Sequence, residues 1–314
     1  MLPFGGLGEP GKSMYNDFFG FSEEPFRLTP DPSFFFMAAG HGEVLSSLTS
    51  GIKGKKGIFS ILGDVGTGKT TLLNTLVKEL KDKARTAFIF NPRLTFEQLL
   101  KGTLADLKVP FTRNSNDILL QRFDLYLQKR SARDEIVLII IIDEAQNLST
   151  KVLGDLGRLL QRETPAGKLP QIILTGQMEL EGNLNAEDSR QLNRRIAFHY
   201  RLSPFSREES KAYIDHRLKI VGSSISEVFT PEAVDLICDF AKGVPRVINT
   251  ICGRAFLAGY SLATPQIGAM IAKEVICEEE NIAPGVTFEE KKTTDQRERG
   301  GSMTTRPLHR IYFP

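Results

Sequence analysis

Tryptophan is absent from the 314 residues, and cysteine and histidine are scarce, with three Cys and four His. Cys238, Cys252 and Cys277 form no C-x-x-C pair. That argues against a disulfide framework or a thiolate metal site, and for small thiols in the core of a chain kept in a reducing compartment. His41, His199, His216 and His309 lie far apart, without the spacing of metal ligands, and read as ordinary loop or surface residues. A surplus of charge is also missing. Lys and Arg number 40 against 38 Asp and Glu, a net charge of +2. No overall field draws the chain to nucleic acid or an anionic membrane, although a local basic patch stays open. No apolar run approaches the roughly 18 residues that a membrane-spanning helix needs. The greasiest stretch, Val137–Ile142, is short and ends in charge. The amino terminus, MLPFGGLGEPGKSMYNDFF, lacks the basic-then-apolar order of a secretory leader. The expectation is a cytoplasmic chain, peripheral at the inner membrane only through a partner.

Four segments follow from pattern. Residues 1–14 are rich in Gly and Pro and read as a loose extension. In 15–203 strand and helix signals alternate, which predicts a parallel sheet covered by helices on both faces. Its strands are expected at 57–62, 85–92, 135–142, 170–176 and 197–203. Its helices are expected near 41–55 and at 68–83, then from Thr95, near 115–132 and at 149–163. Residues 204–280 carry helical periodicity alone, with Ser206 and Thr230 as N-caps. Residues 281–314 are polar and aperiodic. The Phe-rich stretch NDFFGFSEEPFRLTPDPSFFF is irregular and is expected to pack onto the sheet.

GDVGTGKTT, residues 63–71, follows a predicted strand and opens a predicted helix, and it satisfies G-x-x-x-x-G-K-[ST]. Gly63, Gly66 and Gly68 let backbone amides converge without Cβ obstruction. With Asp64, Val65, Thr67 and Thr71 they form a loop whose N–H groups and helix N-terminus cradle phosphate oxygens. Lys69 is expected to reach the β- and γ-phosphates, and the Thr70 hydroxyl to bind Mg²⁺. A chance Gly-rich turn would not carry this strand–loop–helix context.

Such a loop demands an acid at the end of a buried strand. VLIIIIDEAQNL supplies it: a continuous aliphatic run suits a strand buried on both faces, and its carboxyl end emerges where ligands bind in open α/β sheets. Asp143 is expected to hold Mg²⁺ and Glu144 to polarise an attacking water as general base. Beyond the next strand, in QIILTGQMEL, Thr175 and Gln177 are placed to contact the γ-phosphate or the water, with Gln177 preferred. Among Arg190, Arg194, Arg195 and Arg201, Arg195 is the candidate finger into a neighbour's site. Arg246, in KGVPRVINTI, is placed to reach across to the γ-phosphate from the helical region.

In this order the motifs resemble an AAA+ ATPase. MYNDFFGFSEEPFRLTPDPSFFFMAAGHGEVLSSLTSGI, GDVGTGKTTL, IIDEAQNL, LTGQMEL and YIDHRL resemble segments of the general secretion pathway protein A (ExeA-type) ATPases. The resemblance covers roughly residues 14–275. It implies a P-loop NTPase sheet with a small all-helical lid, ATP and Mg²⁺ as cofactors, and hydrolysis to ADP and phosphate. It makes Gly63–Thr71 Walker A, Asp143 and Glu144 Walker B, Gln177 sensor 1, Arg195 a finger candidate and Arg246 sensor 2. It also implies a homo-oligomer and a cell-envelope partner for secretion, pilus biogenesis or polysaccharide export. Met178 stands where the family commonly has Pro. Secretion members often continue into a membrane span and a peptidoglycan-binding region, and neither is read here, so the shorter members are the nearer likeness. The competing expectation is a DNA-associated AAA+ regulator of the transposition target-selection type.

Overall fold

The computed structural model describes residues 14–81, 83–90, 93–111, 115–131, 137–159 and 170–282. The expected extension up to Ser13 and the polar tail from Ala283 lie outside them. So do the outer ends of four predicted elements, at 91–92, 132, 135–136 and 160–163.

Five strands form one parallel sheet: β1 (Ile58–Gly63), β2 (Ala84–Ile89), β3 (Val137–Ile142), β4 (Gln171–Gly176) and β5 (Ile196–Leu202), in the order β2-β3-β4-β1-β5. The aliphatic run of β3 is explained by its neighbours. Ile139 and Ile141 join the core under one face, with Leu48, Phe59, Leu72 and Leu76. Leu138, Ile140 and Ile142 join the core under the other, with Leu99, Phe123, Leu153 and Leu156. A strand covered on both sides favours apolar residues on both faces. Each fully buried Ile contributes about 1.5–3 kcal/mol of transfer free energy.

Preceding the sheet are α1 (Asn16–Phe19) and α2 (Ala39–Lys53). Within the sheet unit follow α3 (Lys69–Glu79), α4 (Phe96–Asp106), α5 (Asn116–Ser131), α6 (Thr150–Leu159), α7 (Glu179–Asn185) and α8 (Arg190–Asn193). Thr95 caps α4 in a reciprocal box with Gln98, which satisfies two otherwise orphaned amides. The first of these ends earlier than its periodicity suggests. The Leu80 carbonyl accepts from Lys83 N and Ala84 N, turning the chain straight into β2. Two elements, α7 and α8, were invisible to periodicity because they are only seven and four residues long.

Helices α9 (Arg207–Ile220), α10 (Ile225–Val228), α11 (Pro231–Ala241), α12 (Pro245–Ser261) and α13 (Ala269–Ile282) form the lid. Ser206 and Thr230 are N-caps as expected, the former with Glu209 in a capping box. Gly243 fixes the start of α12. Its φ is +78°, and a Cβ there would sit 1.9 Å from the Phe205 carbonyl oxygen. Only glycine fits where the loop crosses the Phe205 backbone, whose amide donates to Gly243 O at 2.8 Å.

Three expectations are corrected. The Phe-rich segment packs mainly on the lid rather than the sheet: Tyr15, Phe21, Phe26 and Phe34 share a core with Phe229, Ile251 and Phe256. Phe256 meets the rings of Tyr15, Phe19, Phe21 and Phe26 at 4.9–5.8 Å. Cys238 and Cys252 are buried, but Cys277 is exposed, because it falls on the outer face of α13. His41 is a core residue of α2, 3% exposed, and His216 on α9 is half-buried.

Candidate functional site

Loop 63–71 connects β1 to α3 at the carboxyl edge of the sheet. Gly66 has φ +82° and lies against the lid; a Cβ there would meet Arg246 Cβ at 2.6 Å. Arg246 N donates to Gly66 O at 3.3 Å. The lid therefore touches the loop directly, through the second residue of α12. Lys69, the first residue of α3, is 4% exposed. Its Nζ donates to Gly63 O (2.7 Å) and Asp64 O (2.9 Å). Burial pushes the Lys69 ammonium below its usual pKa, opposed by the charges of Glu144, Asp143 and Asp64.

Asp143 is the hub of the carboxylate side. Its Oδ2 accepts from Thr70 Oγ1 at 2.6 Å, and its Oδ1 accepts from Thr175 Oγ1 at 2.5 Å and from Glu144 N at 3.0 Å. Glu144 is in the left-handed region, with φ 56°. For a residue with a side chain that is a strained setting, common where function fixes the backbone. Its Oε2 accepts from Gln146 Nε2 at 2.7 Å and, at 3.5 Å, from Gln177 Nε2. Gln146 in turn accepts from Gln177 N at 3.2 Å.

A cleft of about 350 Å³ runs between this loop and the lid. Gly66, Gly68, Lys69, Thr70, Thr71, Glu144 and Arg246 line one part of it; segment 27–36 and His41 line another. Of the residues expected in the site, Arg195 is elsewhere. It is exposed beside α6, where its Nη1 donates to Gly157 O at 3.3 Å, and it does not line the cleft.

Sequence reasoning missed His41, Gln146 and Arg217. His41 Nε2 is 2.9 Å from Thr67 O, so its ring supports the loop from beneath. Arg217 is 4% exposed and lies against the Phe34 ring, 4.7 Å from its centroid. Its Nη1 donates to Tyr213 OH at 2.8 Å, and that hydroxyl donates to Asn249 Oδ1 at 2.9 Å. A His at the start of a predicted helix and an Arg four after a Tyr carry no local signal. Of the two polar residues expected there, Thr175 bonds Asp143 and Gln177 reaches Glu144.

Residues 52–184 match the family model described as AAA domain. The chain carries an AAA domain on a P-loop NTPase fold. This AAA+ protein is 36% identical over 262 residues to general secretion pathway protein A of Aeromonas hydrophila, covering 81% of this chain and 46% of that protein. It is 37% identical over 134 residues to ORC1-type DNA replication protein 1 of Sulfurisphaera tokodaii, covering 40% of this chain and 32% of that protein. The chain thus spans less than half the length of the curated relatives it matches. Among solved structures, the ORC2 protein of Aeropyrum pernix in ADPNP–ADP complexes superposes with a TM-score of 0.67 at 16% identity, over 84% of this chain and 73% of that one. The likeness to general secretion pathway protein A that the motifs carried is borne out. Among the described residues, no helix is long and apolar enough to cross a membrane.

The AAA+ fold implies a bound nucleotide and, typically, Mg²⁺, and the residues present fit both. A glycine loop without Cβ obstruction faces a helix N-terminus, a lysine rests on carbonyls it can leave, and a hydroxyl meets a carboxylate at 2.6 Å. Hydroxyl plus carboxylate, completed by phosphate oxygens, is the hard oxygen donor set that Mg²⁺ takes.

Proposed function

We propose that this chain binds ATP with Mg²⁺ in the cleft and hydrolyses it to ADP and phosphate, coupling the reaction to assembly or remodelling of a cell-envelope secretion, pilus or polysaccharide-export machine. The observation that carries the chemistry is the Asp143–Glu144 pair, one carboxylate tied to Thr70 and the other held by glutamine amides beside the loop. Thr70 and Asp143 would hold the ion, which when bound neutralises phosphate charge. Lys69 exchanges its carbonyl partners for phosphate oxygens. Glu144 takes the proton of the attacking water, and Gln177 fixes that carboxylate and the water. Arg246, already against Gly66, senses the nucleotide for the lid. Arg195, exposed and away from its own cleft, is free to enter the cleft of a second copy in a homo-oligomer.

Identity to general secretion pathway protein A over most of this chain supports the envelope coupling. The test is steady-state phosphate release with Mg²⁺ and ATP: Glu144→Gln should abolish turnover yet retain nucleotide. Unchanged release would remove Glu144 as the base. A second reading, a DNA-associated AAA+ regulator, is favoured by the DNA replication relative. ATP-dependent duplex binding that falls steeply with salt would select it; co-sedimentation with envelope components without such binding would select the first.

A further inference from the structure

A groove of about 760 Å³ runs along the edge strand β2 and shares no lining residue with the nucleotide cleft. Part of its wall is main chain. Lys83 O accepts from Val137 N and Ile89 O accepts from Asp143 N, so the odd positions of β2 bond β3. The amides and carbonyls of Ala84, Thr86 and Phe88 therefore point outward. Ala84 N is spent on Leu80 O at 2.8 Å and Phe88 N on Asp106 Oδ2 at 2.7 Å. Between them the Thr86 amide has no partner among the described residues. An open edge of this kind is a template for another strand.

The side-chain walls are predominantly basic. Lys81 and Arg85 stand on the strand side, and Lys108, Arg122 and Lys129 stand on the side of α4 and α5. Asp106 is the one carboxylate lining the groove, and it is committed to the Phe88 amide. Among the described residues none of the five cations has an ion-pair partner. Lys108 sits at φ 58°, a left-handed position just past α4 that glycine ordinarily fills. The chain keeps a charge at the rim where a glycine would be easier. Between the cations lies apolar wall, with Leu125 49% exposed.

The geometry points to a docking groove for an extended acidic segment of a partner polypeptide, added as a strand beside β2. The Thr86 main chain gives the pairing, and alternate side chains of the guest meet the lysines and arginines or cover Leu125. A nucleic-acid backbone would use the cations, and a phosphate could take the Thr86 amide, but it would leave the outward carbonyls of the strand and the apolar wall unmatched.

Fluorescence anisotropy of the full chain with a labelled alternating Glu-Val peptide tests this. Binding should saturate, weaken with salt, and fall about tenfold or more in the Lys108→Glu, Arg122→Glu double variant. A Glu-Val peptide of equal charge, N-methylated at every residue, should bind far more weakly, because it offers no amide to a strand partner. Thr86→Pro should weaken Glu-Val binding while ATP-dependent phosphate release persists. If that variant does not fold, the two peptides compared on the unaltered chain decide the matter. Absence of saturable binding overturns the proposal, and so does equal affinity for the two peptides. A short DNA duplex that binds tighter than the Glu-Val peptide, with sensitivity to Arg122→Glu but not to Thr86→Pro, also overturns it.

Discussion

Glu144 carries no structural load that a glutamine could not carry. Its partners are amide N–H groups, which donate equally well to a side-chain amide oxygen. Glu144→Gln should therefore leave the melting temperature nearly unchanged and cut phosphate release by about 10²-fold or more, the range of lost general-base catalysis. Histidine makes a second prediction at this scale. Burial holds the His41 and His216 imidazoles below their usual pKa. The folded chain then takes up these protons later than the unfolded chain. Their contribution is complete above the unfolded value of about 6.5 and is lost as pH falls through it toward the folded values. Thermal melts should show stability falling as pH drops below about 6.5, and His41→Gln should flatten part of that fall. The loop lysine and the strand-end acids were legible because their chemistry needs fixed neighbours in sequence. His41 and Gln146 were not, because what they touch is fixed only by the folded chain: Thr67 lies 26 residues from His41.

Elements were legible where a face repeats. Strand β3, an unbroken aliphatic run, and helix α9, capped by Ser206, both stand near where pattern put them. The stretch 18–36 has aromatic residues without a period, so its composition demanded burial but named no partner. Its partner is a helix that begins more than 200 residues later. Two element-scale predictions follow from close contacts. Ile141→Ala, in the middle of β3 at 0% exposure, should cost about 2–5 kcal/mol, read from chemical denaturation. Gly66→Ala puts a methyl group into Arg246 and forces an alanine to φ +82°. It should weaken nucleotide binding and loosen the lid together, whereas Arg246→Ala keeps the Cβ that faces Gly66, removes the guanidinium, and should lower turnover more than binding. Isothermal titration beside phosphate release separates the two.

At the scale of the molecule, the cleft is made by two bodies, and a third contribution is expected from a second copy. Arg195→Ala and Glu144→Gln should each be inactive alone. If Arg195 acts across an interface, mixing the two variants should restore a fraction of phosphate release, since some mixed interfaces pair an intact base with an intact arginine. No recovery in mixtures shown to co-assemble would remove Arg195 from that role. The order of parts was legible in the motifs, while the assembly is not written in any single chain's periodicity.

The aromatic segment 15–36 packs on Phe256, so it leaves the ribosome more than 200 residues ahead of the helix it settles against. Until α12 has been synthesised, Tyr15, Phe21 and Phe26 lack the Phe256 ring that all three meet. The sheet can form first, since its strands and their helices end at Leu202, but the nascent chain carries an exposed cluster of rings throughout. A chain stopped before the lid should thus display a sticky amino end and bind a holdase chaperone. The lid, once made, closes the nucleotide cleft and retires that liability in the same step.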